Sequence, residues 1–190
     1  MRTYTETVTL YKFDELSKEA QTEAIDEHRD FLAEAFNAEH LLDDWKEKLQ
    51  ALGYDTVNIS YSGFWSQGDG ASFTAPRIDL KQWLKVHKLG NKYRTLLNVA
   101  DNVEASIDRE SSRYVHENTI RCNIFGATES DTEEQQASEV EHLITTEART
   151  LSQDIYKYLR EAYEYDTSDE AVKESIQANE YEFTEEGILA

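Results

Sequence analysis

Five histidines, one cysteine, an aromatic–glycine run and 39 carboxylates are the residues of this 190-residue chain that chemistry could use. His28, His40, His87, His116 and His142 include no pair three or four residues apart, so no helix presents a two-histidine metal face. His28 falls on an apolar helical stripe, the setting of a core histidine rather than a ligand. Cys122 alternates with Ile120 and Ile124, the pattern of a buried strand thiol. A single cysteine allows no internal disulfide and no zinc cluster. No Walker loop, dinucleotide fingerprint or nucleophile elbow occurs, and Gly68-Asp69-Gly70 is too short to cradle a phosphate. Among so many acids, carboxylate pairs arise by chance, so pairing is no sign of general acid–base catalysis. The expectation is a non-enzymatic protein with no catalytic residues, no metal ligands and no cofactor.

Two features remain. The first is Ser62 to Phe73, which holds three of the seven glycines and three aromatics. Phe64 and Trp65 are adjacent, so in an extended chain they face opposite sides, one toward a core and one toward solvent or a partner. Ser66, Gln67 and Asp69 then set polar side chains around a turn. Phe64, Trp65, Ser66, Gln67 and Asp69 are the candidate loop for a small polar ligand or a peptide. The alternative is a β-hairpin whose turn needs glycine and whose aromatics pack on a helix.

The second is charge. The formal net charge is −20, which attracts basic surfaces and repels nucleic acid and membranes. From Glu129 to Glu186 there are 18 Asp+Glu and 4 Lys+Arg, a net of −14. The candidate partner-binding acids are Glu133, Glu134, Glu139, Glu141, Asp154, Glu161, Glu164 and Asp166. Thirty-four helical residues span roughly 51 Å, so eight acids give about one charge per 6 Å, against about 3.4 Å along one DNA strand. One helix is too sparse to imitate nucleic acid without a second acidic element, Asp166 to Glu186 or Asp26 to Asp44, beside it. The alternative is a solvated face that confers solubility.

The elements that must position these residues are legible from periodicity. Arg2 to Tyr11 reads as a strand. Ser17 caps a helix of about five turns whose stripe runs Leu16, Ala20, Ala24, His28, Phe31, Leu32, Ala35 and Phe36. A second helix, Ala38 to Leu52, stops at Gly53. Tyr54 to Tyr61 switches to a period of two and returns after the glycine-rich turn, ending near Ala75-Pro76. Leu80 to His87 and Tyr93 to Ala100 are short helices. Val103 to Glu110 and Tyr114 to Phe125 form a hairpin. Thr132 to Tyr165 is the longest helix, with an apolar stripe from Val140 to Ala162 that suits the sheet or a second copy of the chain. Asp169 to Asn179 is a last short helix, and Tyr181 to Ile188 a final strand. The expected fold is a single α+β domain spanning 1–190, an antiparallel sheet of about four to six strands covered by helices, with a long acidic C-terminal helix. No run of about 20 apolar residues occurs, and Met1 to Tyr11 has no apolar leader core, so a cytoplasmic protein is expected.

Three stretches together resemble a group of uncharacterised phage and prophage proteins, sometimes labelled antitoxin-like. They are Tyr11-Lys12-Phe13-Asp14-Glu15-Leu16-Ser17 with Glu19-Ala20-Gln21; the distinctive Ser62-Gly63-Phe64-Trp65-Ser66-Gln67-Gly68-Asp69-Gly70-Ala71-Ser72-Phe73; and Asn179-Glu180-Tyr181-Glu182-Phe183-Thr184-Glu185-Glu186-Gly187. The resemblance implies a mobile-element context, in which small acidic proteins block host CRISPR or restriction complexes by filling a basic groove. It lends no catalytic residue. The leading expectation is a phage-encoded inhibitor, anti-CRISPR or anti-restriction, whose partner is a basic host protein or nucleic-acid-binding complex. The alternatives are a ligand- or peptide-binding module using residues 62–73, and an antitoxin-like neutraliser of a basic toxin. Direct nucleic-acid or membrane binding is not expected.

Overall fold

The computed structural model describes residues 8–111, 113–126 and 130–190. In chain order its elements are β1 (Tyr11–Lys12), α1 (Lys18–Ala35), α2 (Glu39–Leu52), β2 (Tyr54–Asp55), β3 (Asn58–Ser62), β4 (Gly70–Thr74), β5 (Arg77–Ile78), α3 (Leu80–Val86), α4 (Arg94–Val99), β6 (Val103–Arg109), β7 (Ile120–Gly126), α5 (Asp131–Asp166), α6 (Asp169–Ala178) and β8 (Glu182–Phe183). The class is α+β. The chain forms two compact units, residues 38–159 and residues 1–37 with 160–190. Expected strand residues 2–7 lie outside the described residues, and the strand described there is β1.

In the unit made of the two chain ends, Ser17 and Ser168 cap α1 and α6 by accepting the N–H of Ala20 (3.2 Å) and Ala171 (3.3 Å). Ala20, Ala24 and His28 recur every four residues and are buried, as are Val172 and Ile176 on α6. They share one core with Phe13, Leu16 and Phe183. β1 pairs antiparallel with β8, Tyr11 opposite Phe183. Arg29 of α1 binds Asp26 (2.5 Å), the carbonyl of Thr167 (3.0 Å) and Asp169.

In the unit 38–159, Gly53 ends α2 at φ 106°, a left-handed conformation that favours glycine. The strands form two-stranded antiparallel ladders rather than one sheet of four to six. β2 pairs with β5, β3 with β4, and β6 with β7. The last two hairpins meet through an antiparallel bridge between Ala75 and Ile107. Up to Leu159, α5 buries Ala137, Val140, Ile144, Ala148, Ser152, Ile155 and Leu159, a stripe of three- and four-residue steps. Full burial of a residue such as Ile144, Ile155 or Leu159 stabilises by about 1.5–3 kcal/mol.

The edge of β7 away from β6 is covered by side chains of α5. Glu141 accepts the N–H of Ile124 (3.1 Å) and Thr145 that of Cys122 (3.0 Å), while Arg149 donates to the carbonyl of Ile120 (3.1 and 3.3 Å). Four helical residues rise roughly 6.0 Å and two strand residues roughly 6.6 Å. Every fourth side chain of the helix therefore meets every second residue of the strand. Polar side chains replace the missing neighbouring strand and keep the edge from pairing elsewhere. Cys122 is fully buried, and burial pushes its thiol pKa well above the usual range, with Glu141 and Asp108 adding to it.

Candidate functional site

The segment between β3 and β4 is a loop organised by its own residues. The Asp69 carboxylate accepts the N–H groups of Trp65 (3.0 Å) and Ser66 (2.6 Å), and the Asp69 N–H donates to the Ser66 carbonyl (3.1 Å). This turns Asp69 onto the loop backbone. Phe64 stacks between Tyr61 (6.0 Å, 21°) and Tyr156 of α5 (5.8 Å, 30°). Trp65 points the other way and is 71% exposed, with Ser66 and Gln67 also exposed. Phe64 is half-buried and Trp65 exposed, but both lie in the bend after β3, which ends at Ser62, so the expected alternation of a strand is not what separates them. At Gly70 a Cβ would lie 2.6 Å from Cβ of His116, so only glycine lets β4 approach that residue. Beside the loop, Tyr114 is 47% exposed, with the Arg113 guanidinium 5.5 Å from its ring.

The eight acids chosen from sequence are divided between the two units. Glu133, Glu134, Glu139, Glu141 and Asp154 belong to the unit 38–159, and Glu161, Glu164 and Asp166 to the other. At roughly 100° per residue, Glu139 projects opposite the stripe buried within the unit 38–159, whereas Glu133, Glu134, Glu141 and Asp154 project toward or beside it. Glu141 holds the edge of β7. Glu139 accepts from Gln135 (3.1 Å) and faces Lys92 (3.7 Å), and Glu164 pairs with Arg160 (3.3 Å). Glu134 and Asp154 are exposed.

Sequence reasoning missed Glu147, which lies inside the apolar stripe of α5 between Ile144 and Leu151. Its Oε2 accepts the Tyr54 hydroxyl (2.7 Å) and the Trp83 indole N–H (2.6 Å). Nε2 of His87 lies 2.9 Å from Oε1, off the line of a straight hydrogen bond, so the contact is an ion pair whenever the imidazole is protonated. The His87 ring sits 4.4 Å from that of Trp83. Tyr54 is fully buried; burial first, then the Glu147 charge, raises its phenol pKa well above the usual range. A carboxylate with these partners holds α3, α5 and β2 together. The signal for it was an acid interrupting an apolar stripe.

The strongest electrostatic feature appears only when charge is assigned to the two units. Residues 1–37 and 160–190 hold 19 Asp+Glu and 6 Lys+Arg, a net of −13. Residues 38–159 hold 20 and 13, a net of −7. The smaller unit therefore has nearly twice the charge of the larger. Among the described residues, no group of His, Cys, Asp and Glu is arranged to hold a metal ion, and no helix is long and apolar enough to cross a membrane. A protein-family model described as a domain of unknown function (DUF8835) matches residues 38–169. No curated protein and no solved structure matches the chain.

Proposed function

The chain belongs to the DUF8835 family, and for it we propose an acidic interaction protein that occupies the basic, nucleic-acid-binding surface of a protein partner and inhibits it. The observation that carries this reading is the net charge of −13 in a unit of 68 residues assembled from the two chain ends. Such a unit attracts a basic groove over several ångströms and speeds encounter with it. It also repels nucleic acid and anionic membrane directly. The resemblance of the Ser62–Phe73 run to phage and prophage proteins narrows the partner to a host defence complex of CRISPR or restriction type. The acids concerned are those of the end-built unit, Glu161, Glu164 and Asp166 among them, more than those along the full length of α5.

The test is displacement. A purified basic effector is bound to labelled DNA, the protein is added, and DNA release is followed at low and at high salt. Release at low salt that fades steeply as salt rises is the expected result, because the contacts replace phosphate contacts. Binding to the effector that is insensitive to salt would count against charge as the driving force.

A second reading is favoured by one observation, the exposure of Trp65 on a loop that Asp69 already organises. Tryptophan is a common anchor of interfaces, and Tyr114 lies against the same loop at Gly68. In this reading the loop binds a peptide or small ligand, and Trp65→Ala abolishes binding while the fold persists. An antitoxin-like role follows the charge logic of the first reading with a basic toxin as partner.

A further inference from the structure

In the unit built from the chain ends, a cavity of about 230 Å³ opens beside α1. A single water needs roughly 10–15 Å³, so there is ample room for a flexible side chain. Its walls include His28, Phe31, Tyr181, Phe183 and Leu189, and Glu27, an exposed acid of α1, also lines it. The His28 and Phe31 rings stack at 5.6 Å and 28°, and the Tyr181 ring lies 5.2 Å from His28 at 60°. Among the described residues, no Lys or Arg lines the space. Lys12 and Arg29 of the same unit are occupied by Glu182 (3.2 Å), by Asp26 (2.5 Å) and by Asp169. His28 is buried and bonded through Nε2 to the Ser175 hydroxyl (3.2 Å), and burial lowers its pKa, which favours the neutral ring.

Aromatic rings, one carboxylate and no lining Lys or Arg form an arrangement suited to an alkyl stem ending in a positive charge. Ring faces attract the cation, the apolar walls cover the stem, and Glu27 keeps the charge from being left unpaired. A neutral apolar guest would cover the walls equally well but would desolvate Glu27 without compensation. The field of the surrounding unit, net −13, further concentrates cations there. We propose that this cavity receives a lysine or arginine side chain of the basic partner, a specific anchor within an otherwise diffuse electrostatic contact. The proposal rests on the reading of the protein as a binder of basic partners.

The experiment is an NMR titration of the full-length protein with n-butylammonium, n-butylguanidinium and n-butanol at matched ionic strength. The two cations are expected to shift the ring resonances of Phe31 and Tyr181 and to bind roughly 2- to 30-fold more tightly than the alcohol. Glu27→Gln and Phe31→Ala are each expected to weaken the cations several-fold. Both residues are exposed, Phe31 at 59%, so neither change should unfold the chain, and circular dichroism checks this. Butanol binding as tightly as butylammonium would reduce the cavity to an apolar pocket and overturn the proposal. Shifts confined to other carboxylates, or no shifts at all, would overturn it too. The DNA-displacement assay separates this from the wider reading. Probe binding without displacement sinks only the inhibitor role. Failed probe binding, with displacement equally strong in Phe31→Ala, sinks only the cavity.

Discussion

Replacing Glu147 with leucine removes the common acceptor of two donors, the Tyr54 hydroxyl at 2.7 Å and the Trp83 indole N–H at 2.6 Å. Tyr54 is fully buried and Trp83 is 2% exposed, so neither donor finds water without opening the core. Each orphaned group costs about 1–3 kcal/mol, and two give about 2–6 kcal/mol. Leucine returns roughly 1–2 kcal/mol through apolar burial, leaving a loss of up to about 5 kcal/mol. That is a large share of a total stability on the order of 5–15 kcal/mol. Tyr54→Phe alone removes one hydrogen bond and should cost about 0.5–1.5 kcal/mol. In the Glu147→Leu background the same change removes an orphaned hydroxyl, so it should be neutral or stabilising. Urea unfolding of the four proteins, followed by tryptophan fluorescence and far-UV circular dichroism together, measures the coupling between the two positions. A coupling of about 1–3 kcal/mol is expected. Strictly additive effects would refute the idea that Glu147 serves as their shared acceptor.

Three further outcomes follow from local geometry. Trp65→Ala should change stability by no more than about 0.5 kcal/mol, as exposed substitutions do, whereas Phe64→Ala, which breaks the stack with Tyr61 and Tyr156, should cost clearly more; equal losses on denaturant titration would contradict their opposite placements. Gly70→Ala should lower the melting temperature by several degrees because its Cβ would lie 2.6 Å from Cβ of His116, and an unchanged melting temperature would refute that close approach. The His28 pKa is lowered in the fold from an ordinary value of 6.5, so its contribution is complete above pH 6.5. It is lost as pH falls from there toward the folded pKa, because the unfolded chain takes up the proton first. Wild type should therefore lose more stability than His28→Gln between pH 7 and pH 5, and parallel pH profiles would dismiss burial of the neutral ring.

The sequence by itself determined the helices and their ends, because these depend on interactions within a few residues, whereas the expected strands Tyr114 to Phe125 and Tyr181 to Ile188 are observed only as Ile120–Gly126 and Glu182–Phe183. Ser17 caps α1 because its hydroxyl reaches the Ala20 N–H three residues on. Gly53 stops α2 because it accepts a positive φ. The period of α5 marks its buried stripe, and the alternation of Ile120, Cys122 and Ile124 marks β7 as half-buried. Net charge is likewise a property of composition alone.

Tertiary structure alone decided which charges stand together and which are occupied. The sequence concentrates carboxylates toward its C-terminal third, but folding joins that segment with the first 37 residues, and the −13 unit exists only through that pairing of distant ends. Glu141 reads as a free acid until the Ile124 N–H is placed 3.1 Å from it, and Glu147 reads as a misplaced one until Tyr54 and Trp83 arrive from far along the chain. The cavity beside His28 needs α1 and the segment from Tyr181 to Leu189, which lie at opposite ends of the sequence. Periodicity reports which side of an element is apolar. It carries no information about which polar group on another element will complete a hydrogen bond, because that depends on ångström-scale geometry between segments that are remote along the chain.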